Sequence, residues 1–325
     1  FYEGAVAFSM NAGFADLEHA VPVTSATRFE VASVNKVFTA LCLLMLAEDR
    51  AIDPDAPIQE YVPGFPAKAE GVVTPRLLAG GLGGIRHYNE TERTREFYAT
   101  HYSDVEESLA LFATDPLAAR PGAEFIYSSY GYNLLAAAIQ GAAGKPFAAV
   151  MNERIIEPLH LSNTGPIDVR VPMQNRARMY SYIEPYTREV LDELRVVPTM
   201  EHSYNAGGGN LYSTAEDMAA LGSRFLAPGF LSERVLAEVM APHHDAEGKP
   251  VPFSDGWLMI ALGADPPSLI AGGSYPGVQA VLRVYPTDGL VVALVTNTWG
   301  RLGSEGPFMR ELPGALAAIV LAEGP

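Results

Sequence analysis

The sequence has almost nothing that could cross-link it, because Cys42 is the single cysteine in 325 residues. An intrachain disulfide is therefore excluded, and so is a metal site built on several cysteine ligands. Cys42 lies within the apolar stretch 41–44, which predicts a position in the core. One buried thiol does not distinguish a reducing compartment from an oxidising one, so the localisation stays open.

Positive charge is also scarce. The chain carries 22 Lys and Arg residues against 38 Asp and Glu residues, which gives a formal net charge of −16. Nucleic acids and anionic membrane surfaces are bound through Lys and Arg, so this balance argues against both as partners. The excess of acid favours solubility instead. No uncharged apolar run reaches the ~18 residues of a spanning helix, so no membrane span is expected.

Several common catalytic and binding motifs are absent from the sequence. Without a Gly-x-Ser-x-Gly elbow an α/β-hydrolase is not expected, and there is no His-Glu-x-x-His zinc motif. The glycine-rich stretch 79–84 is not followed by Gly-Lys-Ser/Thr, so it is not a phosphate-binding loop. His243, His244 and Asp245 lack a metal-ligand spacing and predict a polar loop. No metal and no cofactor are therefore predicted.

Periodicity places strands towards both ends of the chain and helices between them. Strand patterns are found at residues 5–8, 257–262, 277–285 and 289–296. Helical patterns are found at residues 33–48, 104–113, 132–143, 214–225 and 307–322, the fourth with Thr214 as its N-cap. This order predicts an α+β fold, in which an antiparallel sheet built from both termini is flanked by helices.

The same order predicts two parts. Residues 1–88 and 226–325 form an α/β sheet domain, and residues 89–225 form a mostly helical lobe inserted into it. We expect one continuous catalytic unit, with the active site in the cleft between the two parts.

The main chemical candidate is the pair Ser33 and Lys36. Lys36 is one of four lysines, and the helix that follows it is apolar nearly all round and therefore predicted to be buried. Residues three apart share a helix face, and burial disfavours the charged ammonium. A neutral Lys36 can then take the proton of Ser33. The alternative is a capping serine with a lysine that reaches solvent, and this segment alone does not decide.

Longer segments resemble the class C β-lactamases and their esterase, D-peptidase and transacylase relatives, a family related to the penicillin-binding proteins. The segments follow the family's order: its active-site helix at 29–40, its Tyr-x-Asn segment at 122–135, its Gly-Gly-x-Tyr-Ser-Thr-x-x-Asp segment at 206–217, and its Lys/His-Thr-Gly strand at 271–277. Residues 74–78 and 85–88 are especially similar to the LACTB-type branch. The resemblance covers most of the chain and implies a β-lactamase/transpeptidase-like fold.

The resemblance also implies roles for individual residues. Ser33 would be the nucleophile, and either Lys36 or Tyr127 would be the base for acylation. A tyrosine ordinarily titrates near ~10, so Tyr127 needs a neighbouring cation such as Lys36 to act as a base at neutral pH. The backbone N–H groups of Ser33 and Ser274 would form the oxyanion hole.

Substrate contacts are implied for Ser129, Gly272 and Gly273. The two glycines allow the strand to approach a substrate closely, although a β-bulge would also explain them. Tyr130 and Tyr132 are near enough in sequence to be rivals of the proposed tyrosine partner.

Three departures from the family pattern bear on the substrate. Ala271 stands where Lys or His is usual, Ser129 stands where Asn is common, and the stretch 79–84 replaces a His-Thr-Ser-Gly motif. Together they argue against β-lactam and D-peptide substrates, and they favour a neutral ester or amide or a specialised acyl donor. A weakened or inactive enzyme is also compatible with them.

The sequence therefore predicts a serine hydrolase that acts on a small-molecule ester, amide or peptide through an acyl-enzyme on Ser33. One alternative uses the same site as an acyltransferase or amide-forming biosynthetic enzyme. Another alternative is a non-catalytic scaffold or assembly protein with the same fold. The oligomeric state is not predicted.

Overall fold

A computed structural model describes residues 1–2, 5–259, 267–300, 308 and 311–323. Its α-helices are α1 Asn35–Glu48, α2 Pro75–Ala79, α3 Ser129–Ala143, α4 Phe147–Met151, α5 Ala215–Gly222, α6 Glu233–Met240 and α7 Leu312–Glu323. Its strands are β1 Phe14–Asp16, β2 Val21–Pro22, β3 Phe29–Glu30, β4 Gly165–Pro166, β5 Tyr180–Ile183, β6 Val190–Val196, β7 Leu211–Ser213, β8 Phe253–Ser254, β9 Trp257–Leu258, β10 Leu269–Tyr275, β11 Val278–Tyr285, β12 Leu290–Thr296 and β13 Thr298–Trp299.

The largest sheet is antiparallel, with the strand order β12-β11-β10-β9-β8. Its neighbouring strands β11 and β12 are joined by a tight turn that ends at Gly289, whose φ is +63°. The N-terminus reaches the free edge of β12, where Tyr2 bridges Leu290. Helices α5 and α7 pack on β12. The predicted α+β arrangement of an antiparallel sheet with flanking helices is therefore confirmed.

Helix α1 runs through the core and packs against α3, α4 and α6. Its side chains are buried over nearly the whole length, as the all-round apolar pattern predicts. Cys42 is fully buried there. Burial of a large aliphatic side chain contributes roughly 1.5–3 kcal/mol, so this helix is held in place by packing more than by its own propensity.

Most predicted elements near the site are confirmed, with shifted ends. The helix predicted at 33–48 starts as the 3₁₀ turn Ala32–Val34 and continues as α1. Thr214 caps α5, since its side chain accepts the backbone N–H of Asp217. The strand predicted at 257–262 begins as β9, while residues 260–262 lie outside the described part. The closing helix is α7, and residues 307, 309 and 310 of its predicted range also lie outside.

Two local predictions are wrong. The helix predicted at 104–113 is only the 3₁₀ turn Glu107–Leu111. It goes no further because Phe112, with a φ of −147°, has left the helical region. The strand predicted at 5–8 does not form: Ala5 makes only an isolated bridge with Tyr2, and residues 6–8 pair with no strand in the described part of the chain.

Residues 89–225 contain strands as well as helices. In this segment β5 pairs with β6 and, in parallel, with β13 from near the C-terminus. Strand β7 pairs with β3, which immediately precedes Ser33. Within the described ranges no single helix is long and apolar enough to cross a membrane, although α3 with Phe147–Ile156, bent by 78°, has sufficient combined length and composition.

Candidate active site

Ser33 lies at the junction between a strand and the core helix. Strand β3 ends at Glu30, and the 3₁₀ turn Ala32–Val34 leads directly into α1. Ala32 has a φ of +47°, in the left-handed region that side chains other than glycine seldom adopt. Such backbone strain is tolerated where the surrounding structure fixes it, and it often marks a functional site. Here it precedes a serine that remains partly accessible.

Lys36 is fully buried, one turn after Ser33. Its Nζ donates to Ser33 Oγ at 3.2 Å, to Ser129 Oγ at 3.1 Å and to the carbonyl oxygen of Gly208 at 2.6 Å. It also lies 4.9 Å from the ring centroid of Tyr127. Burial lowers the pKa of Lys36 from its ordinary value of 10.5 to about 7, because the charged form loses its hydration. The neutral amine is therefore accessible near neutral pH.

Lys36 is held in position because α1 packs on the glycine-rich loop of residues 206–209. Three successive carbonyls of that loop accept hydrogen bonds from α1: Asn35 Nδ2 binds the oxygen of residue 206, Thr39 Oγ1 that of residue 207, and Lys36 Nζ that of residue 208. A Cβ at Gly207 would lie 2.2 Å from the Tyr132 carbonyl oxygen. Gly207 therefore permits the loop to pack closely against α3, while its carbonyls face α1.

Tyr127 lies just before α3. Its hydroxyl donates to Ser33 Oγ at 2.8 Å. Helix α3 begins at Ser129 because the Ser128 side chain caps it, accepting the N–H of Gly131. The cap places Tyr127 on one side of the helix start and the Ser129 hydroxyl, a partner of Lys36, on the other. Thus two residues that are far from Ser33 in sequence complete the cluster around it.

Strand β10 runs beside the nucleophile. At Gly273 a Cβ would lie 2.2 Å from the Val31 carbonyl oxygen and 2.7 Å from the Ser33 nitrogen, so a side chain has no room. Ser274 follows, and it lines the same cavity as Ser33. Gly272 stands opposite Val281 in the β10–β11 ladder, one residue further from Ser33. Ala271 is buried, with 1% of its surface exposed.

His87 contacts the start of α3. Its Nδ1 accepts the backbone N–H of Ser129 at 3.1 Å, and its ring lies edge-on to Tyr127. Burial first, and then the charge of Lys36, lower the pKa of His87 to about 3. His87 is therefore a neutral ring that supports Ser129, and it does not titrate in the physiological range.

Sequence reasoning missed a buried polar group next to the nucleophile. Glu30, on β3, pairs with Arg176 at 2.7 Å and accepts the hydroxyl of Tyr275. His202 lies against Tyr275, with ring centroids 4.4 Å apart. The sequence held part of the signal for this group. Glu30 and Tyr275 lie inside the family-like segments 29–40 and 271–277, and His202 lies four residues before the segment 206–217.

The remaining candidate, the run of residues 243–245, does not form a metal site. His243 Nε2 lies 3.1 Å from Asp255 Oδ2, and His244 is exposed. Over the described residues no group of three or more His, Cys, Asp or Glu side chains is placed to hold a metal ion. The ring of His243 occupies space beside Gly80, whose Cβ would lie 2.7 Å from its Nδ1.

The structure thus brings Ser33, Lys36, Tyr127 and Ser129 into direct contact and places Gly273 against the nucleophile. These parts come from three distant regions of the chain. A family model described as Beta-lactamase matches residues 1–308. The chain belongs to the beta-lactamase family. The resemblance found in the sequence is confirmed, and so is the β-lactamase/transpeptidase-like fold.

Two relatives within the beta-lactamase family are similar to this chain over most of its length. The chain is 29% identical to the human mitochondrial serine beta-lactamase-like protein LACTB, over 79% of this chain and 61% of that protein. It therefore spans about three fifths of the length of LACTB. It is 28% identical to esterase EstB of Burkholderia gladioli, over 97% of this chain and 88% of the esterase.

A solved structure is similar over most of its length. It is EstCE1, described as a hydrolase with promiscuous acyltransferase activity, with a TM-score of 0.74 and 25% identity. The similarity covers 94% of this chain and 88% of EstCE1. The beta-lactamase family around this chain therefore includes hydrolases and an esterase.

Proposed function

We propose that the protein is a serine hydrolase that cleaves an ester or amide through an acyl-enzyme on Ser33. One observation carries the proposal: Ser33 Oγ lies 3.2 Å from the buried Lys36 Nζ and 2.8 Å from the Tyr127 hydroxyl. A serine is a poor nucleophile until a base removes its proton. The lowered pKa of Lys36 favours the amine as that base.

In acylation, Ser33 Oγ attacks the substrate carbonyl as its proton passes to Lys36. The carbonyl oxygen becomes an anion, which the N–H groups of Ser33 and Ser274 would stabilise. Tyr127 then gives a proton to the departing alcohol or amine and regains one from Lys36. The leaving group departs, and the acyl group stays on Ser33.

The division of the chain fits this proposal. Ser33 belongs to residues 1–88, Tyr127 to residues 89–225, and Ser274 to residues 226–325. We propose that the sheet domain supplies the nucleophile and oxyanion hole, while the inserted lobe supplies the proton donor.

An acyltransferase is the second candidate. It uses the same acyl-enzyme but resolves it with an alcohol or amine in place of water. The observation that favours it is the similarity to EstCE1, whose description names acyltransferase activity. Ala271 favours an uncharged donor in either case, because a buried alanine offers no cation for a substrate carboxylate.

Intact-mass spectrometry tests the proposal. The protein is incubated with a fluorophosphonate, with p-nitrophenyl acyl esters, with a D-Ala-terminated peptide and with a penicillin. We expect an adduct on Ser33 with the fluorophosphonate and with at least one ester. Ser33→Ala is expected to abolish it, while the exposed Ser162→Ala serves as the matched control. A folded wild-type protein that forms no adduct with any reagent would overturn the proposal.

A further inference from the structure

His202 lies beside the nucleophile, in the segment between β6 and β7. It lines one cavity together with Ser33 and Ser274. The cavity has a volume of about 20 Å³, which is room for a single water molecule. A water held there would lie on the side of Ser33 that carries the oxyanion-hole strand.

The imidazole of His202 has an unusual environment for a buried polar group. Only 3% of its surface is exposed, and its Nε2 has no hydrogen-bond partner among the residues that the structure describes. That nitrogen lies 3.9 Å from Glu30 Oε2, which is too long for a hydrogen bond but close for two opposite charges. Glu30 is itself held in place by Arg176 and Tyr275. A fixed carboxylate therefore faces the Nε2 of an imidazole that makes no hydrogen bond through this atom within the described ranges.

Burial leaves this imidazole neutral before reaction, against the pull of two nearby carboxylates. Burial lowers the pKa of His202, and Arg176 acts in the same direction, whereas Glu30 and Glu201 act against it. Glu201 is engaged by His101, whose Nδ1 lies 2.8 Å from its carboxylate. A neutral imidazole can accept a proton, and the nearby carboxylate would stabilise the imidazolium that results.

We propose that His202 is the general base of deacylation: it takes a proton from the water that attacks the acyl group on Ser33, and Glu30 stabilises its charged form. The inference rests on the proposed acyl-enzyme and assigns the second half of that reaction. Acylation and deacylation then use different bases on two sides of Ser33, Lys36 on one and His202 on the other.

The step balances as follows. The water oxygen bonds to the acyl carbon while one water proton passes to His202, and the carbonyl oxygen becomes an anion. The intermediate then breaks its bond to Ser33 Oγ, which takes a proton from Tyr127. The carboxylic acid leaves, and the proton on His202 returns to Tyr127 through solvent. One water is consumed and one acid is released.

Stopped-flow kinetics with a p-nitrophenyl ester separates the two half-reactions. In His202→Asn we expect the first turnover, seen as a burst of p-nitrophenolate, to keep its rate within about threefold. The steady-state rate should fall by about 10²–10⁴-fold, the usual contribution of a general base. Intact mass should then show the acyl group accumulating on Ser33. The matched control is His160→Asn, at an exposed position with a φ of +54° that asparagine tolerates well.

A structural role for His202 would give a different pattern. Loss of packing would slow the burst and the turnover together, and added imidazole would not restore either. A catalytic role predicts that imidazole added to His202→Ala restores turnover without changing the burst. If the variant misfolds, the wild type still tests the idea, because hydrolysis of a preformed acyl-enzyme should slow as His202 becomes protonated at low pH.

Two failures remain distinguishable. If the wild type forms no acyl-enzyme, the proposed function itself is overturned. If it does form one, and His202→Asn hydrolyses it at the wild-type rate, then only the role of His202 is overturned.

Discussion

The hydroxyl of Tyr127 donates a 2.8 Å hydrogen bond to Ser33 Oγ. Lys36 approaches the same oxygen from the buried side, at 3.2 Å. Ser33 Oγ therefore accepts hydrogen bonds from both Lys36 and Tyr127. One of these two groups must be deprotonated before it can take the proton of Ser33. Burial lowers the pKa of Lys36 to about 7, so its neutral amine is present near neutral pH and can serve as the base.

Tyr127→Phe should leave the protein folded but slow acylation. The ring keeps its contacts, while the proton donor for the leaving group is lost. We expect kcat/KM for an amide to fall by about 10²–10⁴-fold, because its leaving group needs the proton, and kcat/KM for a p-nitrophenyl ester to fall less, because p-nitrophenolate departs without one. The control is Tyr2→Phe, far from the site in the N-terminal edge contact. Equal losses in both variants, or none in Tyr127→Phe, would contradict the assignment.

The rate of acylation should follow the ionisation of Lys36. Since the neutral amine is the base, the burst rate should rise with pH and reach half of its plateau near the pKa of about 7. His87, whose pKa is about 3, does not contribute to this rise of the burst rate with pH. The measurement is a stopped-flow burst across the pH range. A midpoint at the ordinary lysine or tyrosine value, near ~10, would show that Lys36 is not the base in its buried state.

Lys36 should also make stability depend on pH. Its pKa falls from 10.5 when exposed to about 7 when buried, so between these values the unfolded chain holds a proton that the folded chain lacks. The free energy of unfolding should therefore rise with pH in this window, by at most about 1.4 kcal/mol per pH unit. Below about pH 7 this contribution is constant.

Comparison with Lys36→Met isolates that effect. The variant loses the ionisation but keeps much of the buried volume, so its unfolding free energy should lack the rise between about pH 7 and pH 9. Urea denaturation of both proteins at several pH values measures the difference. Parallel curves for the two proteins would mean that Lys36 is not charged differently in the folded and unfolded states.

Gly273→Ala should damage the site. A Cβ there would lie 2.2 Å from the Val31 carbonyl oxygen, so β10 must move away from Ser33 and carry the Ser274 N–H with it. Loss of one oxyanion donor costs about 10²–10³-fold in kcat. Gly64→Ala is the control, because no atom of the described residues lies within 4 Å of a Cβ at that position. An active Gly273→Ala protein would show that β10 does not supply the second donor.

Local patterns in the sequence were enough to find much of the site. Ser33 and Lys36 are three residues apart on a helix, so their contact follows from helical geometry alone. Thr214 caps α5 for the same kind of reason, since a cap involves neighbours in sequence. The amphipathic spacing at 104–113 was a poorer guide, because the structure forms only the short 3₁₀ turn Glu107–Leu111 there.

Taken alone, the sequence determined the family, the buried helix behind Ser33 and the pairing of a serine with a lysine, because these depend on residue type and short-range spacing. Only the tertiary structure decided which groups surround that pair. The Gly208 carbonyl that accepts from Lys36 and the Glu30 carboxylate near His202 are each more than 170 positions from their partners. Contacts over such separations depend on how the strands and helices pack, and no local period encodes them.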